Sequence, residues 1–439
     1  MADEYFVGLR ATEDLVTNEY PESWRTGIMR IFPNGMAPLT GLTTLMKKER
    51  VDAPHFHWWT KTLTSQRAAL QNSGLYNDSS LAGAYTSGSG SAGDVLFANV
   101  LLADSKMFRA GHQVLVRDAN DYNVDTTGKV INVVQNGASS VVSIMMLEGD
   151  DNTTTSTDWG DADTLLIIGN MNPMGGTRPT AIAQSPTEFE NNTQIFRNSL
   201  DLSRTLMHTK LRTVDAYDEA KRDALEQHSI EIEKALFWST IYSTSGTAEG
   251  TNNKPEFATR GLISWIKSYG TVEDFTLDTG AAYTGKTWLQ AGERWLDEHL
   301  EEIFRYGSDE RLAFCGSGAL LGIQRLAKDV GWISLTPRTT TWGSNVREWV
   351  TPFGQITMKT HPMFSFEATN RFSMVLIEPK NLRWRFIDDT NFYPDTTYEK
   401  GGGTGIDGKQ EEYLTEAGFE AHFPETWGYL NGLGKDNTV

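Results

Sequence analysis

VDAYDEAKRDALEQHSIEIEKALFWSTIYS, residues 214–243, is the longest stretch of the chain in which apolar side chains recur at helical spacing. It contains no Gly or Pro, and Thr213 or Asp215 could cap its first turn. Such a helix would run about 45 Å at about 1.5 Å per residue. Its predicted buried stripe consists of Tyr217, Ala220, Ala224, Leu225, Ile232, Ala235, Leu236 and Ser239. Its predicted charged side consists of Glu219, Arg222, Asp223, Glu226, Glu233 and Lys234. We therefore expect a spine helix against which several other elements pack.

The composition bounds the size and the partners of the protein. A chain of 439 residues predicts two or three domains. Its 57 acidic side chains outnumber 39 basic ones, and the formal net charge is −18. A surface that wraps nucleic acid needs clustered Lys and Arg, so the excess of acids argues against sequence-specific nucleic-acid binding.

The cysteine content and the first residues indicate the compartment. Cys315 is the single cysteine, which excludes an intrachain disulfide and favours a reducing environment. The start, MADEYF, is acidic where a signal peptide would be basic, and no apolar run approaches the length of a membrane span. The sequence thus predicts a soluble intracellular protein with no membrane partner.

The part of the chain before the spine helix is predicted to contain an inserted domain. Residues 51–63 are rich in β-forming side chains and predict a strand, whereas the Gly/Ser-rich residues 79–93 predict a flexible loop. Asn136-Gly137 is the strongest hairpin signal, because both residues tolerate positive φ. Five candidate strands lie around this turn, at 95–102, 113–118, 129–135, 141–147 and 164–169. We interpret residues 79–185 as a small all-β domain inserted into a loop of a host domain.

The flanks of an insertion must come together. Residues 55–63 and 193–206 are both extended candidates, so we expect them to pair as a long two-stranded projection that carries the inserted domain. The spine helix follows the second of these strands directly.

Helices and strands are mixed after the spine helix. A helix at 287–304 would place Trp288, Ala291, Trp295, Leu296, His299 and Ile303 on one face, and a second helix is predicted at 319–327. An apolar piece lies at 262–266, and strands are predicted at 312–315, 355–359, 372–378, 382–387, 412–423 and 427–430. There is no βαβ alternation and no repeat, so the fold class is α+β.

One segment matches a phosphate-binding motif in full. Gly280–Thr287 (GAAYTGKT) fits G-x-x-x-x-G-K-[ST], in which backbone amides and Lys286 would hold nucleotide phosphates and Thr287 would hold magnesium. The context is unfavourable, because the preceding VEDFTLDTG is polar and the nearest acidic partner after an apolar strand is Glu378. Thr284 could simply cap the following helix. We interpret the match as a chance pattern and keep a P-loop nucleotide-binding enzyme as an alternative.

Glycines and histidines suggest further sites. Gly316-Ser317-Gly318 is a near miss to a dinucleotide-binding fingerprint. His55 and His57 could place two imidazoles on one face of a strand, without an evident third metal ligand. Acidic residues also accompany His228 and His299 on predicted helices, but without the Glu-x-x-His spacing of di-iron bundles; they are Glu226, Glu231, Asp297 and Glu302.

Two further candidates have structural interpretations. Residues 407–411 lack the alternating oxygen ligands of a calcium loop. Cys315 lies in an apolar strand, which favours an inert thiol. We therefore nominate no catalytic, cofactor-binding or metal-binding residue.

The order of these parts resembles the major capsid proteins of tailed bacteriophages, which have the Hong Kong 97-type shell fold. The sequence is also similar to one branch of that family in the segments PNGMAPLTGLTTLMKKERVDAPHFHWW (33–59), LLIIGN (165–170), NNTQIFRNSLDLSRT (191–205), LAFCGSGALLGIQRLA (312–327) and EEYLTEAGFEAHFPETWGYLNGL (411–433). The resemblance implies five parts. They are an N-terminal arm at 1–50, an extended loop at 51–78 and 186–212, an inserted β domain at 79–185, a peripheral domain with the spine helix at 213–270 and 371–439, and an axial domain at 271–370.

The resemblance implies a structural, non-enzymatic function. Copies of the chain would assemble as pentamers and hexamers into an icosahedral shell enclosing double-stranded DNA, in the virion, after assembly in the bacterial cytoplasm. Implied partners are other copies, a separate scaffolding protein, a portal protein and cement or decoration proteins. Net negative charge fits this function, because it would keep the inner wall from clinging to packaged DNA. Besides the P-loop enzyme, the alternative is another shell or tube protein, such as an encapsulin-like compartment.

Overall fold

The computed structural model describes residues 46–61, 66–72, 74–118, 125–137, 139–151, 159–160, 162–209, 215–244, 254–330, 335–341, 344–396 and 407–439. Most of the predicted N-terminal arm therefore lies outside the described residues. The chain forms two compact units: a smaller unit, Lys61–Thr187, and a larger unit, Met1–Thr60 with Glu188–Val439. No helix among the described residues is both long and apolar enough to cross a membrane.

Helices and strands are labelled in chain order. The strands are β1 (Lys47–Arg50), β2 (His55–Thr60), β3 (Arg67–Ala69), β4 (Val95–Val100), β5 (His112–Arg117), β6 (Asp125–Val134), β7 (Ser140–Met146), β8 (Thr164–Asn170), β9 (Thr187–Asn192), β10 (Gln194–Ser203), β11 (Tyr242–Ser243), β12 (Phe257–Ala258), β13 (Thr271–Asp274), β14 (Glu310–Cys315), β15 (Leu335–Thr341), β16 (Ser344–Thr351), β17 (Gly354–Thr360), β18 (Met374–Ile377), β19 (Leu382–Tyr393), β20 (Gly408–Ala421) and β21 (Gly428–Asn431). The helices are α1 (Leu102–Ser105), α2 (Arg204–His208), α3 (Ala216–Trp238), α4 (Leu262–Tyr269), α5 (Trp288–Phe304), α6 (Ser317–Val330) and α7 (Pro362–Phe366).

The smaller unit is an antiparallel sheet with strand order β3-β8-β5-β6-β7-β4. All five strands predicted for this part of the chain are present, and β6 and β7 form the predicted hairpin around Asn136-Gly137, where Gly137 has φ 45°. The alternating inward side chains pack around Trp159, which is fully buried. The three-residue strand β3 is too short for a sequence pattern to predict.

In the larger unit, the spine helix is α3, and it is shorter than predicted. It has 23 residues, about 35 Å at about 1.5 Å per residue. Asp215 caps it by accepting a hydrogen bond from the backbone N–H of Tyr217 at 2.9 Å, whereas Thr213 lies outside the described residues. The helix ends at Trp238 because the next residues are extended, and Tyr242–Ser243 pairs with β12.

The buried side of α3 differs from the predicted stripe at four positions, since His228 and Phe237, which the stripe did not include, are also buried. Leu225, predicted to be buried, is 41% exposed. Glu233, predicted to lie on the charged side, is completely buried. Towards its C-terminus the helix is covered over a wide arc that includes Ile232, Glu233, Leu236 and Phe237, which accounts for the burial of Glu233.

The predicted two-stranded projection is not formed by the strands that the sequence suggested. β2 pairs with β9, not with residues 193–206. Those residues form β10, which pairs with β20 in the sheet β1-β19-β20-β10 and keeps an antiparallel register over its full length. The prediction of a pair between 55–63 and 193–206 is therefore wrong. The physical reason is that Phe196, Leu200 and Leu202 are buried on the side of β10 that faces the cores shared with α3.

A mixed sheet with the order β13-β21-β18-β14-β17-β16-β15 supports α5 and α6. The pairs β14/β17 and β13/β21 are parallel, and the others are antiparallel. This sheet joins strands from both sides of the predicted boundary between residues 370 and 371. The mixture of helices and antiparallel and mixed sheets confirms the α+β class.

Candidate functional site

The segment Gly280–Thr287 lies between a 3₁₀ turn at Phe275–Leu277 and the start of α5. The strand before that turn is β13, which pairs in parallel with β21 but is an edge strand with no fully buried side chain, whereas a P-loop follows a buried strand. Thr287, not Thr284, caps α5, through a capping box with Gln290. Thr284 instead donates its hydroxyl to the carbonyl of Gly280 at 3.1 Å.

C-terminal residues of the chain bind polar groups of this segment and of its flanks. The Asn437 side-chain oxygen accepts the backbone N–H of Gly285 at 3.4 Å, and the Asn437 backbone N–H donates to the carbonyl of Lys286 at 3.0 Å. The Asp436 carboxylate accepts the backbone N–H of Trp288 at 3.0 Å, which is the position where a phosphate would meet the helix N-terminus. Asn437 is buried and donates its side-chain amide to the carbonyls of Phe275 and Asp278 at 2.9 and 2.8 Å. The segment is therefore an internal docking site for the C-terminal residues, and its geometry does not favour the P-loop interpretation.

The glycines of the fingerprint-like segment allow close backbone packing. A Cβ on Gly316 would lie 2.2 Å from the carbonyl oxygen of Arg371, and one on Gly322 would lie 2.7 Å from the Cα of Gly434. Helix α6 is thus pressed against two other backbone segments, which explains the glycine spacing without a nucleotide.

His55 and His57 lie on one exposed face of β2, as predicted. The His55 Nδ1 is 2.6 Å from the side-chain oxygen of Asn192, and the His57 Nδ1 is 3.1 Å from Glu188. Glu190 is the next carboxylate, at 3.8 Å from His57. Across the described residues, no group of three or more His, Cys, Asp or Glu side chains is arranged to hold a metal ion.

His228 joins the spine helix to two strands. Its ring nitrogens are 2.7 Å from Asn198 on β10 and 2.7 Å from Thr415 on β20, and burial lowers its pKa. A neutral imidazole has one donor and one acceptor nitrogen, which suits two neutral partners. Glu231 accepts a hydrogen bond from the same Asn198 at 3.0 Å. The position is structural.

The remaining candidates also have structural surroundings. The ring of His299 packs against the indole of Trp295, with centroids 4.6 Å apart. Lys409 in the calcium-loop-like segment pairs with Glu411 at 2.8 Å. Cys315 is fully buried, and burial raises the pKa of its thiol to about 12, so the thiolate that a nucleophile requires is not formed at neutral pH.

A buried polar pair that the sequence did not suggest joins α3 to the end of β17. The His361 Nε2 donates to the Glu233 carboxylate at 3.1 Å, and both residues are buried. The rings of Phe237, Phe314 and Phe364 stand at 5.0, 5.7 and 5.6 Å from the imidazole. Burial among them lowers the pKa of His361 to about 3, so the imidazole is neutral. The sequence could have predicted the burial of Glu233, because this residue precedes Leu236 and Phe237 by three and four residues and so shares their side of the helix.

A buried ion pair joins β14 to the end of β18. Arg311 donates to the carbonyls of Ser308 and Tyr306 at 2.5 and 2.6 Å, and it lies 3.5 Å from Glu378. Glu378, the nearest acidic partner for the P-loop motif, thus pairs with the arginine that holds the turn after α5.

A third polar cluster attaches β1 to the sheet. Glu49 contacts Arg383 at 2.5 Å and Arg385 at 2.6 Å, and Arg385 also pairs with Glu420. His422 lies 2.6 Å from Glu420. These contacts fix the point where the chain leaves the predicted N-terminal arm. The polar clusters described in the larger unit therefore connect its helices and strands to one another.

Comparison with known proteins gives one family and several distant structures. The family model described as SU10 major capsid protein matches residues 9–434. A major capsid protein of Pseudomonas phage PaMx41 is 22% identical over 426 residues, which cover 94% of this chain and 93% of that protein. The capsid of Myoviridae phage XM1 is 12% identical with a TM-score of 0.39, covering 97% of this chain and 99% of that one. A structure from Microbacterium phage Oxtober96 is 9% identical with a TM-score of 0.40, covering 93% and 96%.

Proposed function

The chain belongs to the SU10 major capsid protein family, and we propose that its copies assemble as pentamers and hexamers into an icosahedral shell around packaged double-stranded DNA. The observation that carries the proposal is the extent of the family match, since residues 9–434 include all of the smaller unit and nearly all of the larger one. The protein is a structural capsid protein, and its place is the virion.

The surface of the larger unit supports a role in assembly. Trp59, Val350 and Phe366 are 61%, 69% and 72% exposed, although they are among the side chains that gain most from burial. β10 is an edge strand in its sheet, with one paired side along its whole length. Exposed apolar side chains and unpaired strand edges are features that neighbouring copies can cover.

The charge of the chain supports DNA packaging inside such a shell. A net charge of −18 makes the average surface repel phosphate, so that DNA can enter without adhering to the wall. Assembly would take place in the bacterial cytoplasm, with a scaffolding protein, a portal and cement or decoration proteins as partners.

We further assign the parts of the chain on the pattern of the resembled fold. The arm is 1–50 and the axial domain is 271–370. The other parts are the extended loop at 51–78 and 186–212, the inserted β domain at 79–185, and the peripheral domain at 213–270 and 371–439. The Glu49 cluster supports the first assignment, because it would anchor an arm that reaches a neighbouring copy.

Expression of the chain with and without its scaffolding protein tests the proposal. Negative-stain and cryo-electron microscopy should show closed shells of uniform diameter when the scaffold is present. Monomers in both preparations, at high protein concentration, would contradict a capsid function. A titration of ATP with magnesium should give no binding that depends on Lys286, and micromolar binding lost in Lys286→Ala would instead support the enzyme alternative.

A further inference from the structure

The exposed side of α5 carries an acidic ridge. Leu289, Glu293 and Asp297 follow each other at four-residue intervals, so they lie along one side of the helix, and all three are exposed. Leu289 is 48% exposed. Although Asp297 is exposed, nearby protein atoms remove enough water from its carboxyl group to raise its pKa. We call these three residues the acidic face.

The exposed side of α6 carries cations. Leu321, Arg325 and Lys328 follow Gly318 at intervals of three or four residues, so the four lie on one side of the helix. The three side chains are exposed. Leu321 is 41% exposed, so each helix presents one leucine beside its charges.

Two further cations lie next to this stripe. A Cβ on Gly318 would be 2.7 Å from the ring of Phe372, which places that ring against the start of α6. The Lys435 ammonium is 4.6 Å and the Arg371 guanidinium 5.8 Å from the centre of the same ring. Leu321, Arg325, Lys328, Arg371 and Lys435 together form what we call the basic face.

The opposite charges of the two faces do not meet within one copy. Both faces belong to the larger unit, and their helices share one core. Among the residues that the structure describes, Arg325 and Lys328 form no ion pair, and neither do Glu293 and Asp297. By contrast, other acids of α5 are neutralised locally, since Glu298 pairs with Arg294.

We propose that the acidic face of one copy packs on the basic face of the next copy, with Leu289 and Leu321 in the centre of the contact. The inference rests on the proposed shell function and names one interface within its rings. A contact between two different faces of the same chain is heterologous, and such contacts close into rings when the rotation permits. Unpaired cations opposite unpaired carboxylates orient the approach and exclude the reverse arrangement, in which like charges would meet.

Charge reversal on each face tests the interface. One variant combines Glu293→Lys with Asp297→Lys, and the other combines Arg325→Glu with Lys328→Glu. Each variant alone places like charges in every contact, so we expect shell yield to fall by about tenfold or more, with an unchanged circular dichroism spectrum and thermal melt. A matched control, Lys254→Glu with Lys267→Glu, changes the net charge as the α6 variant does but at exposed positions outside both faces. It should assemble as the wild type does.

Mixing the two variants gives the sharper result. Each variant would then find a complementary face on the other, so alternating rings of six should form. A ring of five cannot alternate, so we expect six-membered capsomers in open sheets or tubes. A single chain with all four substitutions should regain closed shells.

The outcomes separate the interface from the function. Wild-type yield from both variants, or loss of assembly that neither mixing nor the fourfold substitution restores, would overturn the interface while the shell function stands. Failure of the wild type itself to assemble with its scaffold would overturn both.

Discussion

The two long helices of the larger unit, α3 and α5, differ in the side chains that they bury. α5 packs on one side of one sheet, and its buried face is apolar and aromatic, centred on Trp288, Trp295 and Leu296. α3 is covered by β10 and β20 on one side and by α4 and the residues around His361 on another. Its buried positions therefore include the polar residues His228 and Glu233.

The difference shows what a hydrophobic pattern can and cannot identify. A helix that buries one side on one sheet separates apolar from polar residues, and its pattern shows which side is buried. A helix covered from several directions also needs specific polar contacts to fix its position, because apolar packing alone is not directional. In α3 these contacts are the ones that His228 and Glu233 make.

Substitution of Leu236 tests the predicted core of α3 and should have the largest effect. Leu236 is completely buried, so Leu236→Asp places an unpaired charge in the core and should abolish soluble folded protein. The matched control is Leu225→Asp, on the same helix but 41% exposed, which should give normal yield. Soluble expression and thermal melting of both variants measure the contrast. Equal loss in both would mean that the predicted stripe, not the structure, describes the buried side of α3.

Truncation of an aromatic residue tests the apolar side of α5. Trp295 is completely buried, and its indole N–H donates to Asp278 at 2.8 Å. Trp295→Ala should therefore lower the free energy of unfolding by about 3–5 kcal/mol. Arg294→Ala, which removes an exposed pair with Glu298, should cost under about 1 kcal/mol. Urea unfolding followed by fluorescence distinguishes them, and a small effect of Trp295→Ala would refute the assignment of this face as the core.

Acidification should weaken the polar contacts of α3. Burial lowers the native pKa of His361 to about 3, whereas an unfolded histidine has a pKa of about 6.5. Between these values the unfolded chain binds more protons, so stability falls as the pH decreases through about 6.5. One such group loses about 2 kcal/mol between pH 7.5 and pH 5. His228 contributes with the same sign, because burial also lowers its pKa.

The variant His361→Gln isolates this term. It should be less stable at pH 7.5 but show a smaller decrease in unfolding free energy between pH 7.5 and pH 5 than the wild type. The groups that face His361 are the Glu233 carboxylate and the Lys359 ammonium, so Glu233→Gln and Lys359→Met are measured alongside. An unchanged pH dependence in His361→Gln would show that other groups control acid stability.

Local sequence patterns predicted the positions of helices and strands better than they predicted which strands pair with each other. The five strands of the smaller unit and the helix at 288–304 follow from alternation and helical spacing, which depend on neighbours along the chain. The pairing of β10 with β20 joins residues more than 200 positions apart, and no local pattern specifies it. The same limit applies to the parallel pair β14/β17.

The candidate sites also depend on contacts between residues that are distant in the sequence. The motif at 280–287 is complete in sequence, yet its meaning depends on Asp436 and Asn437, which reach it from the end of the chain. Likewise, the partner of Glu233 is His361, 128 residues away. A motif identifies which groups are available, and only the fold shows whether they are already occupied.

The N-terminal caps of α3 and α5 also differ, and substitutions there should have the smallest effect on stability. Asp215 caps α3 from the adjacent position in the chain, whereas Asp436 meets the first turn of α5 from the C-terminal residues, in addition to the Thr287 capping box. Asp215→Ala removes the side-chain cap of α3 and should cost about 1 kcal/mol. Asp436→Ala leaves the Thr287 cap in place and removes only a carboxylate near the helix N-terminus, so it should cost about 0.5 kcal/mol. Chemical unfolding of both variants at low ionic strength measures the difference, with Asp436→Asn as the control that keeps the acceptor and removes the charge. A larger loss for Asp436→Ala than for Asp215→Ala would mean that the C-terminal residues, rather than the local cap, hold the start of α5.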